Sequence, residues 1–318
     1  MRYREVDLTR VRTVPVGNRP AKVDTSLLAS VPGSDRSFHA FIDSLPDVLA
    51  ARDLRFLAEA IANAKKKERG VLLLIGGHVA KVGLGSLVVE WLRRGIVTHV
   101  ALNGAAAIHD FELAAFGQTS EDVESGLADG TFGMAEETGS AMNLAASQAA
   151  GTDLGLGEGL ANALSRRKEL PGAEASILLG AREAGIPITV HVALGSDVIH
   201  QHPTADGAAL GATSHRDFKR LAASLSSIHD GGVVINLGSA VMLPEVFLKA
   251  LSVARNLDQG RPTGFVAADF DMQRHYRPRV NVVERPTKPT GIGIQITGHH
   301  EIMFPLLSWA VFDRLDGS

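Results

Sequence analysis

The chain has 318 residues, of which 32 are Lys or Arg and 35 are Asp or Glu, so its formal net charge is -3, and 45% of it is hydrophobic. That balance describes an ordinary globular protein and gives no reason to expect nucleic-acid binding, which usually needs a strongly basic face. The absence of cysteine excludes disulfides and thiolate chemistry, and no apolar stretch approaches the roughly 20 residues that span a bilayer. The opening Met1-Arg-Tyr-Arg-Glu-Val-Asp is too charged for a signal peptide. The expectation is a cytoplasmic protein with neither nucleic acid nor membrane as a partner.

Residues 1–35, rich in Arg, Pro, Val and Ser without a sustained period, predict an N-terminal arm that wraps a neighbour or is partly disordered. The rest, 36–318, reads as a single domain. Phe41, Leu45, Val48, Leu49, Leu54, Leu57, Ala58 and Ile61 are spaced as on one or two amphipathic helices. Six short apolar runs follow, each ending in a polar or glycine cluster. Val71–Ile75 leads into Gly76-Gly77-His78, His99–Leu102 into Asn103-Gly104, and Ile188–Leu194 into Gly195-Ser196-Asp197. Val233–Leu237 leads into Gly238-Ser239, Phe265–Ala268 into Asp269-Phe270-Asp271, and Ile292–Thr297 into Gly298-His299-His300. Runs of this length without period-two alternation read as strands buried on both faces. Helical stretches separate them, including an insert over 111–185 and a crossover helix over Asp217–Ile228, and a helix over Glu301–Leu315 closes the chain. The fold class is α/β: a Rossmann-like, mostly parallel sheet with helices on both faces. Ligands of such sheets bind beyond the carboxyl ends of the strands, where the clusters lie.

Several residues there could carry chemistry. Gly76-Gly77-His78 sits at a strand-to-helix turn where glycines let the backbone approach a phosphate, although neither the G-x-G-x-x-G spacing nor a P-loop is present. His109-Asp110 could move a proton, or simply start a helix. Asp197 ends an apolar strand, so it should bind a cation or position a polar substrate, since a buried carboxylate without a partner costs several kcal/mol. Asp269 and Asp271, beside Arg274, His275 and Arg277, could receive amines or pair with those arginines. His200, His202 and Asp206 are three potential metal ligands within seven residues, near His191, His299 and His300 in type but without a recognised spacing. Lys288, between prolines just before the last strand, could form a Schiff base if desolvated.

These pieces, in this order, resemble the deoxyhypusine synthase family over roughly residues 70–315. The segment Ile294-Gln-Ile-Thr-Gly-His-His-Glu-Ile-Met-Phe-Pro-Leu-Leu307 is similar to that family's closing strand and helix, and Gly232–Val241 to its Gly-rich strand. Phe270-Asp271 matches the end of its Asn-Thr-Ala-Gln-Glu-Phe-Asp motif, Asn103–Asp110 stands at its small-residue turn, and Gly195-Ser-Asp197 matches its Leu-Gly-Asp. The resemblance implies an NAD-binding enzyme, a homotetramer with NAD near subunit interfaces, and an amine that is dehydrogenated and passed on as an aminoalkyl group through a lysine imine. By position it implies Gly76, Gly77, His78, Asn103, Gly104, Asp110, Gly238, Ser239 and Asp271 as cofactor neighbours. Asp197, Glu284 and His200 would be substrate ligands, with Lys288, His109 and His78 catalytic and no metal. The family's Gly-Ser-Asp-Ser-Gly-Ala loop is replaced by Met272-Gln-Arg-His-Tyr-Arg277, and Arg274, Arg277 and Arg279 stand where a polycation site wants carboxylates, which points away from spermidine itself. The leading expectation is therefore an NAD-dependent enzyme acting on a small amine. The alternatives are a metal-dependent hydrolase built on His200, His202 and Asp206, and a non-catalytic nucleotide-binding oligomer.

Overall fold

A computed structural model of the chain describes residues 3–317; the first two residues of the expected arm and the terminal Ser318 lie outside the described residues. Six strands make one sheet: β1 (Val71–Ile75), β2 (His99–Asn103), β3 (Ile188–His191), β4 (Val233–Leu237), β5 (Val266–Asp271) and β6 (Ile292–Thr297). Their order is β3-β2-β1-β4-β5-β6, and every neighbouring pair is parallel. The chain therefore reverses direction across the sheet between β1 and β4, the switch point at which such sheets open a crevice.

The helices are α1 (Phe38–Ser44), α2 (Leu49–Lys66), α3 (Gly77–Lys81), α4 (Gly85–Arg93), α5 (Gly104–Phe116), α6 (Val123–Asp129), α7 (Glu136–Ala150), α8 (Leu156–Ser165), α9 (Ile177–Ala184), α10 (Gly207–Ser224) and α11 (Met242–Leu257). Two three-residue helices, α12 (Tyr276–Pro278) and α13 (Arg285–Thr287), flank a π-helical turn at Arg279–Glu284, and α14 (His300–Asp316) closes the chain. Side chains alternate along each strand, so the two faces bury different sets. Val71, Leu73, Ile75, Val233 and Ile235 join α2, α4, α5 and α14 in one apolar layer. Leu72, Leu74, Val234 and Ala267 join α10 and α11 in the other. Among the described residues, no helix is long and apolar enough to cross a membrane.

Several boundaries differ from the sequence reading, and β5 runs on through Asp269, Phe270 and Asp271, which the apolar pattern puts after it. The third strand stops at His191, three residues before the end of its apolar run, and Val192–Asp197 leaves the sheet as a loop. The crossover helix begins at Gly207, ten residues before Asp217, because the Asp206 carboxylate caps it by accepting the amides of Ala208 (2.9 Å) and Ala209 (3.1 Å). Asp217 lies inside that helix, buried, and its Oδ2 accepts Gly157 N–H (2.9 Å) and Val190 N–H (2.8 Å). Val190 belongs to an edge strand, so this carboxylate satisfies an amide that would otherwise invite another chain to pair.

Candidate functional site

The loops beyond the carboxyl ends of the strands touch one another in an unbroken line across the switch point. At its β3 end, the Asp197 carboxylate lies directly over Gly104, the first residue of α5, so closely that a side chain at Gly104 would overlap it. Next, Gly77 faces Ala105: a Cβ on that glycine would lie 2.9 Å from the alanine methyl. His78, one residue further on, has its ring 5.5 Å from that of His300. His300 reaches back over Gly238, whose φ of 66° is left-handed and whose Cβ, if present, would be 2.7 Å from the imidazole Nε2. Gly76 closes the line, because a side chain there would run into the Gly238 carbonyl. The sequence places small residues at each of these contacts, and the result is that the loops pack closely against one another across the switch point.

Polar atoms without partners concentrate on this rim. Asp197 Oδ2 and His200 Nε2 are both buried, neither is hydrogen-bonded, and they stand 3.9 Å apart. Their side chains are 8% and 6% exposed, so water does little for them. Burial pushes the Asp197 carboxyl up to about 6, against the opposing pull of the Ala193 amide. It also pulls His200 below the usual imidazole range. His200 Nδ1 accepts Gly195 N–H (3.2 Å), which assigns the ring proton to Nε2. A proton donor without an acceptor thus faces a carboxylate oxygen without a donor. At the switch point His300 Nε2 donates to the Phe270 carbonyl (3.1 Å), leaving the buried Nδ1 as an acceptor with nothing bound. Burial depresses this imidazole too, so it stays neutral.

The β5 side of the rim holds a second acidic group. Asn236, Asp269 and Gln295 lie in register on β4, β5 and β6. Asp269 Oδ1 accepts from Asn236 Nδ2 (2.8 Å), while Asn236 Oδ1 is buried without a partner. Burial raises the Asp269 carboxyl to about 6, opposed by the Asn236 and Gln295 hydrogen bonds. Asp271, two residues on, has His275 Nε2 at 3.9 Å from Oδ2. Arg274, instead of pairing with these acids, donates to Thr297 Oγ1 (3.1 Å).

Other expected residues are engaged by hydrogen bonds of their own. Asp110 is fully buried: Oδ1 accepts Ile177 N–H (2.6 Å), and Oδ2 accepts Leu178 N–H (3.1 Å) and Ser176 Oγ–H (2.9 Å). It anchors the start of α9 and does not face a cofactor. Asn103 and Ser239 are also engaged locally, Asn103 Oδ1 by Ala106 N–H (2.8 Å) and Ser239 Oγ by Leu243 N–H (3.1 Å). His109 is bound through Nδ1 to Thr119 Oγ1 (2.8 Å); burial depresses its imidazole, Glu112 opposes the shift, and the charges of Lys81 and His78 add to it. It therefore belongs to the His78 neighbourhood.

Lys288 is not on the rim. It is exposed and precedes β6, whose six residues put about 20 Å between it and the carboxyl end of the sheet. Within the single chain it is solvated, not desolvated. Glu284 is likewise exposed and paired with Arg279 (2.7 Å). The expected metal triad also comes apart. His202 Nε2 is bonded to the Gly133 carbonyl (2.8 Å), Asp206 caps α10, and His191 shares Thr189 Oγ1 with the buried His99 at 3.0 Å each. Among the described residues, no cluster of His, Cys, Asp and Glu could hold a metal ion.

Asn236 is a rim residue to which pattern reading gives no role, whereas it offers Asp269 as a candidate amine ligand and His300 only as a companion of the candidate metal ligands. Their only signal is polarity inside or just after a buried apolar run, as in Asn236 within Val233–Leu237.

No family model matches the chain, and none of the curated proteins matches it. Solved structures do share its architecture. A protein assigned as LOR/SDH from Methanococcus maripaludis S2 superposes with a TM-score of 0.52 at 17% identity, over 83% of this chain and 69% of that one. AgrE, in a ternary complex with ornithine and NAD+, gives 0.53 at 13% identity over 85% of this chain, which spans only 35% of AgrE. A protein assigned as a deoxyhypusine synthase from Entamoeba histolytica is aligned over 89% of this chain and 96% of its own, at 12% identity, but its TM-score of 0.49 is too low to build on. At these identities the likeness establishes the fold, a Rossmann-like parallel α/β sheet.

Proposed function

We propose that the protein is an NAD-dependent enzyme that oxidises a small amine, with the dinucleotide lying along the rim at Gly76, Gly77, Gly104 and Gly238. The observation that carries the reading is the Asp197–His200 pair. One ligand nitrogen at ordinary hydrogen-bond distance from both, about 2.9 Å, completes two unsatisfied atoms: its N–H donates to Asp197 Oδ2 and its lone pair accepts from His200 Nε2–H. An uncharged amine has this donor–acceptor character, whereas an ammonium has no lone pair to offer. Asp197 and His200 thus select and orient the amine in the form that can lose hydride.

The residues along the rim suit a dinucleotide. His300 Nδ1 and Asn236 Oδ1 are buried acceptors there for hydroxyl or amide hydrogens. NAD, when bound, supplies the hydride acceptor. His300 Nδ1 is a neutral imidazole nitrogen able to accept a proton at the switch point, with His78 beside it. The ornithine and NAD+ held by AgrE, whose fold is shared, support both halves of the reading. So does the resemblance of the sequence to deoxyhypusine synthases. Transfer through a Lys288 imine is not part of the proposal, because that lysine lies a strand length away from the site.

Thermal unfolding with and without NAD tests the cofactor first. Ligand at 100 times its dissociation constant stabilises the native state by about 2.7 kcal/mol. A shift, followed by NADH formation on screening amino acids and diamines, is the expected outcome. No shift with NAD or NADH at saturating concentration would overturn the reading.

A further inference from the structure

The N-terminal segment displays apolar side chains that nothing in its own chain covers. Val6 is 81% exposed, Leu8 73%, Val14 71% and Val16 78%, values expected of a segment that is not packed at all. Yet the segment is locally ordered. It forms 3-10 turns at Leu8–Arg10, Val16–Asn18 and Thr25–Leu27, and Asp7 and Asp24 cap the first and third. The backbone hydrogen bonds of residues 3–26 all close within the segment. Its ties to the body come later, where Asp47 N–H donates to the Leu27 carbonyl (3.0 Å) and Ser30 N–H to the Ser44 carbonyl (2.9 Å). The arm therefore leaves the body beside α1.

An uncovered aromatic face lies at that same place. Phe38 of α1 stands 5.6 Å from Trp309 of α14 and 6.1 Å from Phe41. Trp309 is 58% exposed, Phe41 49%, and Ile302, seven residues before Trp309 and hence on the same side of α14, is 61% exposed. Contiguous exposed groups of this kind mark interaction sites. The charges of arm and body are opposite: residues 1–36 hold seven basic and four acidic side chains, leaving 25 basic and 31 acidic ones for the rest.

We propose that the partner is a second copy of this chain, and that each subunit lays its arm across the α1–α14 face of the other. Three observations favour a second copy over an unrelated protein. Arm and face are present on every chain, and the net charge of the arm is opposite to that of the rest of the chain. The arm departs beside the face, so a two-fold axis between two such faces lets each arm reach its target, and the exchange closes at a dimer. The arm's length also matches the roughly 20–30 residues per side of a stable interface. This inference is independent of the enzymatic reading.

Sedimentation of the full chain at several micromolar concentrations, together with acrylamide quenching of tryptophan emission, tests it. The chain has two tryptophans and Trp91 is fully buried, so quenching reports Trp309. The wild type should sediment as a dimer with Trp309 shielded. Combined Val6→Asp, Leu8→Asp and Val14→Asp substitutions touch no core contact; they should give a folded monomer in which quenching rises several-fold. Ile302→Lys on the receiving face should do the same. A monomeric wild type overturns the proposal, including one whose Trp309 is shielded by its own arm. A dimer that survives the arm substitutions with quenching unchanged also overturns it.

Discussion

Two buried aspartates flank α5, and burial raises both to about 6, but only one of them is satisfied. Asp110, in the second turn of the helix, accepts three hydrogen bonds from the start of α9. Asp197, over the first residue, leaves Oδ2 with none. A raised carboxyl by itself therefore says little about function; the count of donors around it says more. Where the protein supplies every donor, the acid is a clamp between elements. Where one oxygen is buried and unpaired on an open rim, a ligand has yet to supply the donor.

The largest effect that would sharpen this contrast is on stability. Asp110→Ala strands the Ile177 and Leu178 amides and the Ser176 hydroxyl in the interior, and should cost at least about 3 kcal/mol at one to three per unsatisfied group. Chemical denaturation would measure it. A loss below about 1 kcal/mol would break the view of Asp110 as a clamp.

Asp197→Asn should behave in the opposite way. Removing a buried, unpaired charge leaves the fold as stable as before or more so. Affinity for the amine should fall roughly 10- to 100-fold, the equivalent of the 1.5–3 kcal/mol typical of a hydrogen bond to a charged group. Calorimetry of amine binding to the NAD-loaded protein reads it, and unchanged affinity would remove Asp197 from the site. A smaller change should follow from Gly104→Ala, whose methyl must displace that carboxylate at a cost of about 1–3 kcal/mol. In an Asp197→Ala background the same substitution should be nearly neutral, a non-additivity that locates the contact.

The pH dependence separates the two acids by the sign of what the ligand does. In the free protein Asp197 holds its proton up to about pH 6, well above the 3.8 of an unperturbed carboxyl. The folded state therefore binds more protons than the unfolded state between these values, and the group's contribution to stability declines as pH rises through that window. Asp110, raised likewise to about 6, and Asp217, raised to about 7, share this sign. His99 and His191, pushed down to about 3 by burial, have the reverse sign and contribute stability that is lost as pH falls below the ordinary imidazole range. The difference between wild type and Asp197→Asn isolates one group from this mixture: the variant should gain on the wild type from about pH 4 to 6, and the gap should stay constant above. Amine binding needs both the carboxylate and the uncharged amine, so affinity should rise steeply with pH up to about 6 and less steeply above it, as the neutral fraction of the amine grows toward its ordinary pKa of about 10. A profile without that bend would assign the ligand elsewhere.

The parts of the molecule that pattern made legible are those governed by periodicity. Each apolar run is a strand and each cluster lies toward a carboxyl end; β1 to β5 are covered on both faces as their composition demands, whereas β6 at the sheet edge is exposed at Ile292, Gly293 and Thr297. Pairwise satisfaction does not leave such a trace. Asp110 and Asp197 look alike in sequence, each beside a small-residue turn, and Asp206 looks like a metal ligand as readily as a cap. Only the positions of Ile177, Leu178 and Ser176, some 66–68 residues away along the chain, distinguish the clamp from the site. The end of β3 was misplaced for a related reason. Val192, Ala193 and Leu194 are apolar, but they follow the turn that carries Asp197 over Gly104, and nothing local records the end of the ladder.

Lys288 gives the smallest expected effect and the cleanest division between two mechanisms. It sits at the amino end of the sheet, exposed, with β6 between it and the rim. A reaction carried through a lysine imine cannot proceed without its lysine, whereas amine oxidation assisted by Asp197, His200 and His300 has no use for a side chain there. Lys288→Ala should therefore leave NADH formation unchanged and stability within about 0.5 kcal/mol, as for a surface substitution. Steady-state rates with the best amine would decide it: loss of turnover with NAD binding intact would place Lys288 in the chemistry and require the segment before β6 to move to the carboxyl rim.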